Sequence, residues 1–249
     1  MEDLRMMRLD KFLAEMGVGS RQEVKKYIRK GMVCVNGETA AGPEQKIRET
    51  EDLITFQGEQ VAYAAYEYYM LNKPAGVVSA TTDARDTTAV DLIQEKKRKD
   101  LFPAGRLDKD TEGLLLITND GTLAHRLLSP SRHVDKTYFV RVEGLVTEEL
   151  AQTFASGIDI GENGQTEMTR PAKLEIQRSG EVSEVYLTIH EGKYHQIKRM
   201  FQAAGMRVIY LKRLTMGSLK LDPALKPGEY RPLTREELKN VTDENAGRH

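Results

Sequence analysis

From Leu101 to Gly121 the chain reads LFPAGRLDKDTEGLLLITNDG. Pro103 and Gly105 bend the backbone, and the apolar run from Leu114 to Thr118 reads as a buried strand stopped by Asn119-Asp120-Gly121. Arg106-Leu107-Asp108 immediately precedes that strand. Asp108 therefore belongs to a loop that a rigid element holds in place, which suits a catalytic carboxylate. By itself the position is ambiguous, because an aspartate in a turn beside a strand is more often a cap or a turn former.

Working outward, strands recur at Tyr68–Leu71, Tyr138–Val142 and Val185–Ile189, the first leading into Asn72-Lys73-Pro74. Helices are dispersed among them. Thr147 caps one that runs through Phe154. Gln196–Ala204 reads as another, with Ile197, Met200, Phe201 and Ala204 inward and Gly205 as its stop. Thr234 and Glu237 box-cap a last short one. This pattern predicts an α+β fold with a mostly antiparallel mixed sheet flanked by short helices.

The amino-terminal stretch has a different rhythm. Leu9, Phe12, Leu13 and Met16 fall on one helical face that Gly17 ends, and Ser20 with Glu23 forms a capping box that opens a second helix. That second helix has a narrow apolar seam of Val24, Tyr27 and Ile28, with Arg21, Lys25, Lys26, Arg29 and Lys30 over the rest. Val33 and Val35 then alternate into the hairpin signal Asn36-Gly37. Gly17-Val18-Gly19 is no dinucleotide fingerprint, since no strand precedes it and no third glycine follows. The reading divides the chain into residues 1–57, a linker at 58–67 with no core pattern, a larger domain at 68–240 and a tail at 241–249.

The formal net charge is −1, yet it is unevenly distributed. Eight Lys or Arg stand against three acids between Arg5 and Gly37, and Gly192 to Leu221 holds seven with no acid. Two basic blocks on a neutral chain point to polyanion contact at chosen surfaces. The single cysteine, Cys34, forms no internal disulfide, the five histidines show no zinc spacing, and no apolar run reaches membrane-spanning length. The amino terminus is charged where a signal peptide is apolar. These features predict a cytoplasmic protein without metal or membrane association.

Two resemblances sharpen the picture. Arg8 to Glu38, RLDKFLAEMGVGSRQEVKKYIRKGMVCVNGE, resembles the RNA-binding domain typified by small-subunit ribosomal protein S-four. The segment GRLDKDTEGLLLITNDG resembles the signature of the RNA pseudouridine synthases in the ribosomal RNA subfamily named after RsuA. Further matches are YYMLNKPAGVVS, SPSRHVDKTYFV, EGKYHQIKRMFQAAG and LKPGEYRPLT.

The resemblance implies a uridine isomerase that detaches the base, turns it and rejoins C5 to the ribose, without metal or organic cofactor. It implies Asp108 as the essential residue, Lys198 as its partner cation and Tyr138 as a stacking residue in the active cleft. Arg106 is the expected occupant of the space left by a flipped uridine. Arg21, Lys25, Lys26, Arg29 and Lys30 are expected on RNA phosphates, with Lys193, Arg199, Arg207, Lys212, Arg213 and Lys220 lining or flanking the cleft.

The substrate expected is one uridine of small-subunit (16S) ribosomal RNA, within an assembling particle, acted on by a monomer. The Tyr-His before Gln196, together with GEYRPLT, resembles the small-subunit branch more than a large-subunit (23S) enzyme. Intact GRLD, KTY and QIK elements count against a noncatalytic RNA-binding assembly factor. A glycoside hydrolase needs a carboxylate pair at defined separation. Asp110 and Glu112 lie near Asp108 in sequence, but sequence does not show that either faces it.

Overall fold

Leu114, Leu115, Leu116 and Ile117 are all fully buried, so both faces of their strand are covered, as an unbroken apolar run demands. The computed structural model describes residues 6–61, 66–129 and 132–246, with side chains through Asp243. Its chain clusters into two compact units. One runs from the amino terminus to Glu67 and includes Gln94–Leu101, and the other comprises Tyr68–Ile93 and the chain from Phe102 onward.

The first unit contains β1 (Met6–Arg8), α1 (Leu9–Glu15), α2 (Arg21–Arg29), β2 (Val33–Val35), β3 (Glu38–Thr39), β4 (Lys46–Arg48), β5 (Ile54–Phe56) and β6 (Glu59–Gln60). The Ser20–Glu23 capping box forms in both directions. Asn36 and Gly37 both take positive φ, as a two-residue hairpin turn requires, and join β2 to β3. Leu9, Phe12, Leu13, Val24, Ile28, Val33, Ile47 and Ile54 close the core.

Two boundaries of this unit differ from the sequence reading. Glu59–Gln60, placed in a linker, is a strand paired with β5 through a second positive-φ turn at Gln57-Gly58. Residues 62–65 of that linker lie outside the described residues. Gln94–Leu101, expected in the larger domain, belongs to the first unit. There the Glu67 carboxylate accepts the backbone N–H groups of Lys97 and Arg98, and buried Arg98 binds Glu15 and Asp100. A protein lacking residues 1–57 thus deprives Arg98 of Glu15. We expect trypsin to cut such a protein rapidly between Lys96 and Lys99 while leaving the larger sheet intact, and the intact chain to resist at that segment; limited proteolysis with mass mapping checks this.

The second unit holds β7 (Tyr68–Lys73), β8 (Phe102–Ala104), β9 (Glu112–Thr118), α3 (Gly121–Leu128), β10 (Lys136–Glu143), α4 (Glu148–Ser156), β11 (Lys173–Arg178) and β12 (Val182–Ile189). It continues with α5 (Gln196–Ala203), β13 (Arg207–Met216), β14 (Leu219–Lys220), β15 (Tyr230–Pro232) and α6 (Arg235–Ala246). The sheet order is β11-β12-β10-β13-β9-β7-β15, with β14 on β13 and β8 on β9. Every pairing is antiparallel except β13 with β9. This is the α+β class expected from sequence.

At the parallel seam Gly113 lies opposite Arg213 with φ +105°, and a Cβ there would stand 2.2 Å from the Arg213 carbonyl oxygen. Only glycine fits. Arg213, expected beside the cleft, is instead buried at this seam, where its Nε donates to the Leu114 carbonyl. Asp120, read as part of a turn, caps α3 by accepting the Leu123 N–H. The expected tail from 241 is the end of α6, because Val241 is fully buried against the cluster of Met70, Leu114, Leu116 and Leu123. Residues 247–249 lie outside the described residues. Among the described residues no helix is long and apolar enough to cross a membrane.

Candidate active site

The loop between β8 and β9 is fixed by the segment that follows β7. Leu107 packs into the interior, and the Ser79 hydroxyl both donates to the Leu107 carbonyl and accepts its N–H, at 2.9 and 3.0 Å. Gly76 N–H donates to the Lys109 carbonyl, and Thr111 N–H donates to the Asp108 carbonyl. Lys73 is fully buried beneath the loop, with its ammonium on the carbonyls of Pro74 and Lys109. Burial lowers its pKa to about 8, against the opposing pull of Asp110, Asp108 and Glu112. These bonds hold the Asp108 backbone on both sides, so its carboxylate is aimed before any substrate arrives.

Asp108 opens into a cleft of about 530 Å³ whose walls include Ser79, Arg106, Thr111, Tyr138, Lys193, Tyr194, His195 and Lys198. From the first turn of α5 the Lys198 ammonium donates to Asp108 Oδ2 at 3.0 Å and to Asp110 Oδ1 at 2.6 Å. His195 Nε2 stands 3.5 Å from Asp108 Oδ1. Burial pushes the Lys198 pKa down, but its two carboxylates outweigh that and hold it above the usual lysine range. Burial pushes the Asp110 carboxyl up, and the Lys198 ammonium outweighs that, leaving it below its ordinary value. One cation thus serves two carboxylates across this wall of the cleft.

Tyr138 lies on β10, buried but for the part of its side chain that reaches the cleft, beside an irregularity in the pairing of β10 with β13. Arg106 lines the opening two residues before Asp108. The structure therefore brings Asp108, Tyr138, Lys198 and Arg106 together. Lys193 also lines the cleft, but its ammonium is taken by the Met168 carbonyl and by Glu167.

Arg199 departs from the expectation. It points out of the cleft wall to Glu167, to the Ile160 carbonyl and to the Tyr194 carbonyl, so it braces the loop before α5. Arg207 pairs with Glu143 on the far part of β13. On α2, Arg21, Lys26 and Arg29 are exposed, as is Lys30 at its C-cap, while Lys25 leans toward buried Asp10 at 3.9 Å.

Sequence reasoning missed Asp110, Ser79, Tyr194 and His195. Asp110 follows Asp108 by two in the same loop, but spacing in a loop does not say which way a side chain turns. The buried Thr111 hydroxyl also lines the cleft and has no hydrogen-bond partner among the described residues, leaving it available to a bound molecule. Among the described residues no group of three potential ligands could hold a metal ion.

A carboxylate fixed beside a shared ammonium, an aromatic wall and a rim guanidinium form a site suited to a nucleotide's sugar, base and phosphate. The family model described as RNA pseudouridylate synthase matches residues 67–203, and that described as S4 domain matches residues 7–54. The chain belongs to the RNA pseudouridylate synthases, isomerases that act on uridine in RNA, and carries an S4 domain ahead of the synthase domain. It is 51% identical over 242 residues to the uncharacterized RNA pseudouridine synthase YtzG of Bacillus subtilis, covering 96% of this chain and all of that protein. It is 42% identical to ribosomal small subunit pseudouridine synthase A of Escherichia coli, covering 94% of this chain and all of that one. A crystal structure of a pseudouridylate synthase, 41% identical, superposes with a TM-score of 0.65 over 94% of this chain and 99% of that one.

Proposed function

We propose that this protein converts one uridine of small-subunit ribosomal RNA to pseudouridine, with Asp108 as its essential residue. The observation that carries this reading is the Asp108 carboxylate, held by a braced loop and paired with Lys198 inside a cleft that also presents Tyr138 and Arg106. In the isomerisation the bond from C1′ to N1 breaks, the uracil turns, C5 bonds to C1′, and the proton on C5 is lost while N1 gains one. An ionised carboxylate at the sugar can act as the nucleophile at C1′ or as a base. Tyr138 stacks on the uracil, and Arg106 fills the space the flipped uridine leaves, binding phosphate.

Small-subunit ribosomal RNA is favoured by the printed names of the relatives at 42–43% identity and by the Tyr-His preceding Gln196. We place the substrate in an assembling particle and the enzyme, as a monomer, in the cytoplasm. The exposed cations of α2 supply sequence-independent phosphate contacts that fix the register on folded RNA. Reversing Lys26, Arg29 and Lys30 to Glu is expected to weaken RNA binding and flatten its salt dependence, by about 0.7 to 0.9 in log–log slope per lost contact. A binding titration across salt concentrations measures this, and an unchanged slope would place RNA elsewhere.

Mapping pseudouridines by chemical labelling and primer extension in cells lacking the gene tests the target. One small-subunit signal should disappear and large-subunit signals should persist. Loss of a large-subunit signal instead would overturn the assignment.

A further inference from the structure

Tyr194 is the most exposed of the large apolar side chains among the described residues, at 75%, and it stands at the rim of the catalytic cleft. Its loop is held firmly. Gln196 Oε1 accepts the Lys193 N–H and Gln196 Nε2 donates to Glu191, while Arg199 donates to the Tyr194 carbonyl and the Lys193 ammonium to the Met168 carbonyl. His195 takes the left-handed backbone conformation, at φ 48° and ψ 32°, that residues other than glycine seldom adopt. That turn lays the His195 imidazole on the Tyr194 ring, with centroids 3.8 Å apart and planes 22° from parallel. The same imidazole reaches to 3.5 Å from Asp108. One face of Tyr194 is thus backed by a ring that itself abuts the catalytic carboxylate, and the phenol is open to solvent.

We propose that Tyr194, backed by His195, is a stacking platform for a base flanking the flipped uridine. The inference rests on the reading of the cleft as a uridine isomerase site. Flipping one nucleotide costs the stacking of its neighbours, and a fixed aromatic face at the rim returns part of it whatever the neighbour's identity. Tyr194 is not the seat of the target uracil, because the wall beside Asp108 is already supplied by buried Tyr138. Bracing by Gln196 and Arg199 means that the platform is ordered in advance, so stacking costs little conformational freedom.

The chain contains no tryptophan, so Tyr194→Trp introduces a single fluorophore at the platform. Small-subunit ribosomal RNA added to this variant, and to the same variant carrying Asp108→Asn, should quench its emission saturably. In parallel, Tyr194→Ala should raise KM for tritium release from that RNA by about 5- to 150-fold, the range of stacking one base on an aromatic ring. Its kcat should change little, and Tyr194→Phe should behave as wild type. Emission that RNA leaves unchanged, an unaltered KM in Tyr194→Ala, or a collapse of kcat in Tyr194→Phe would each overturn the platform. Quenching without tritium release from the otherwise wild-type protein would uphold the platform and sink the isomerase reading.

Discussion

Asp108→Asn is expected to lower uridine isomerisation by roughly a thousandfold or more, on the scale of removing a nucleophile while the rest of a site stays intact. The amide keeps the shape of the carboxylate, and the backbone of the loop that carries it is held by the Ser79 hydroxyl and by the Gly76 and Thr111 N–H groups, none of which involves the Asp108 side chain. Fold and RNA affinity should therefore survive. What is lost is the negative charge, and with it both roles open to the residue, since an amide is neither an anionic nucleophile at C1′ nor a base at the sugar. Single-turnover rates with saturating enzyme measure the chemical step apart from binding. Retention of more than a small fraction of wild-type rate would remove Asp108 from the centre of the reaction.

Lys198→Met carries the next largest expected effect, a loss of about 10- to 100-fold in kcat, since a hydrogen bond to a charged group is worth about 1.5–3 kcal/mol. The pair is partly solvated, with Asp108 and Lys198 side chains 30% and 26% exposed, which keeps the loss below that of Asp108→Asn. The variant should also shift the pH profile. With the ammonium present, Asp110 is held below its ordinary range. With it gone, that downward pull on Asp110 disappears, so the Asp110 carboxyl takes up its proton at higher pH as the solution is acidified. The acid limb of kcat/KM is thus expected to move up in pH, and Lys198→Arg to restore much of the rate and the wild-type limb. A Lys198→Met enzyme with an unmoved limb would mean that the ammonium only braces α5.

Much of this was legible in the sequence because the relevant signals are local. The capping box at Ser20–Glu23, the Asn36-Gly37 turn and the apolar run from Leu114 each report on their own few residues, and each formed as read. The GRLD, KTY and QIK elements were read through their resemblance to the synthase family; GRLD lies in the loop that Ser79 and Gly76 brace, KTY on β10 and QIK on α5, and Asp108, Tyr138 and Lys198 meet in one cleft. What escaped depends on distant partners. Arg213 counts as one more cation in a basic block until the parallel pairing of β13 with β9 buries it against the Leu114 carbonyl. Arg199 looks like its neighbour Lys198, but one step around α5 carries it to Glu167 and Ile160. Gln94–Leu101 has a linker's composition, and only the seats offered by Glu15 and Glu67 assign it to the amino-terminal unit. Asp110 required knowing that Lys198 comes within reach of the loop from the opposite side.

The most direct test of the central claim follows the hydrogen on C5. Joining C5 to C1′ expels that hydrogen, so purified protein incubated with small-subunit ribosomal RNA labelled with tritium at C5 of uridine should release label to water. Release should level off at one equivalent per RNA molecule and be absent with large-subunit RNA. No release from small-subunit RNA, free or in an assembling particle, or equal release from both subunits' RNA, would contradict the account.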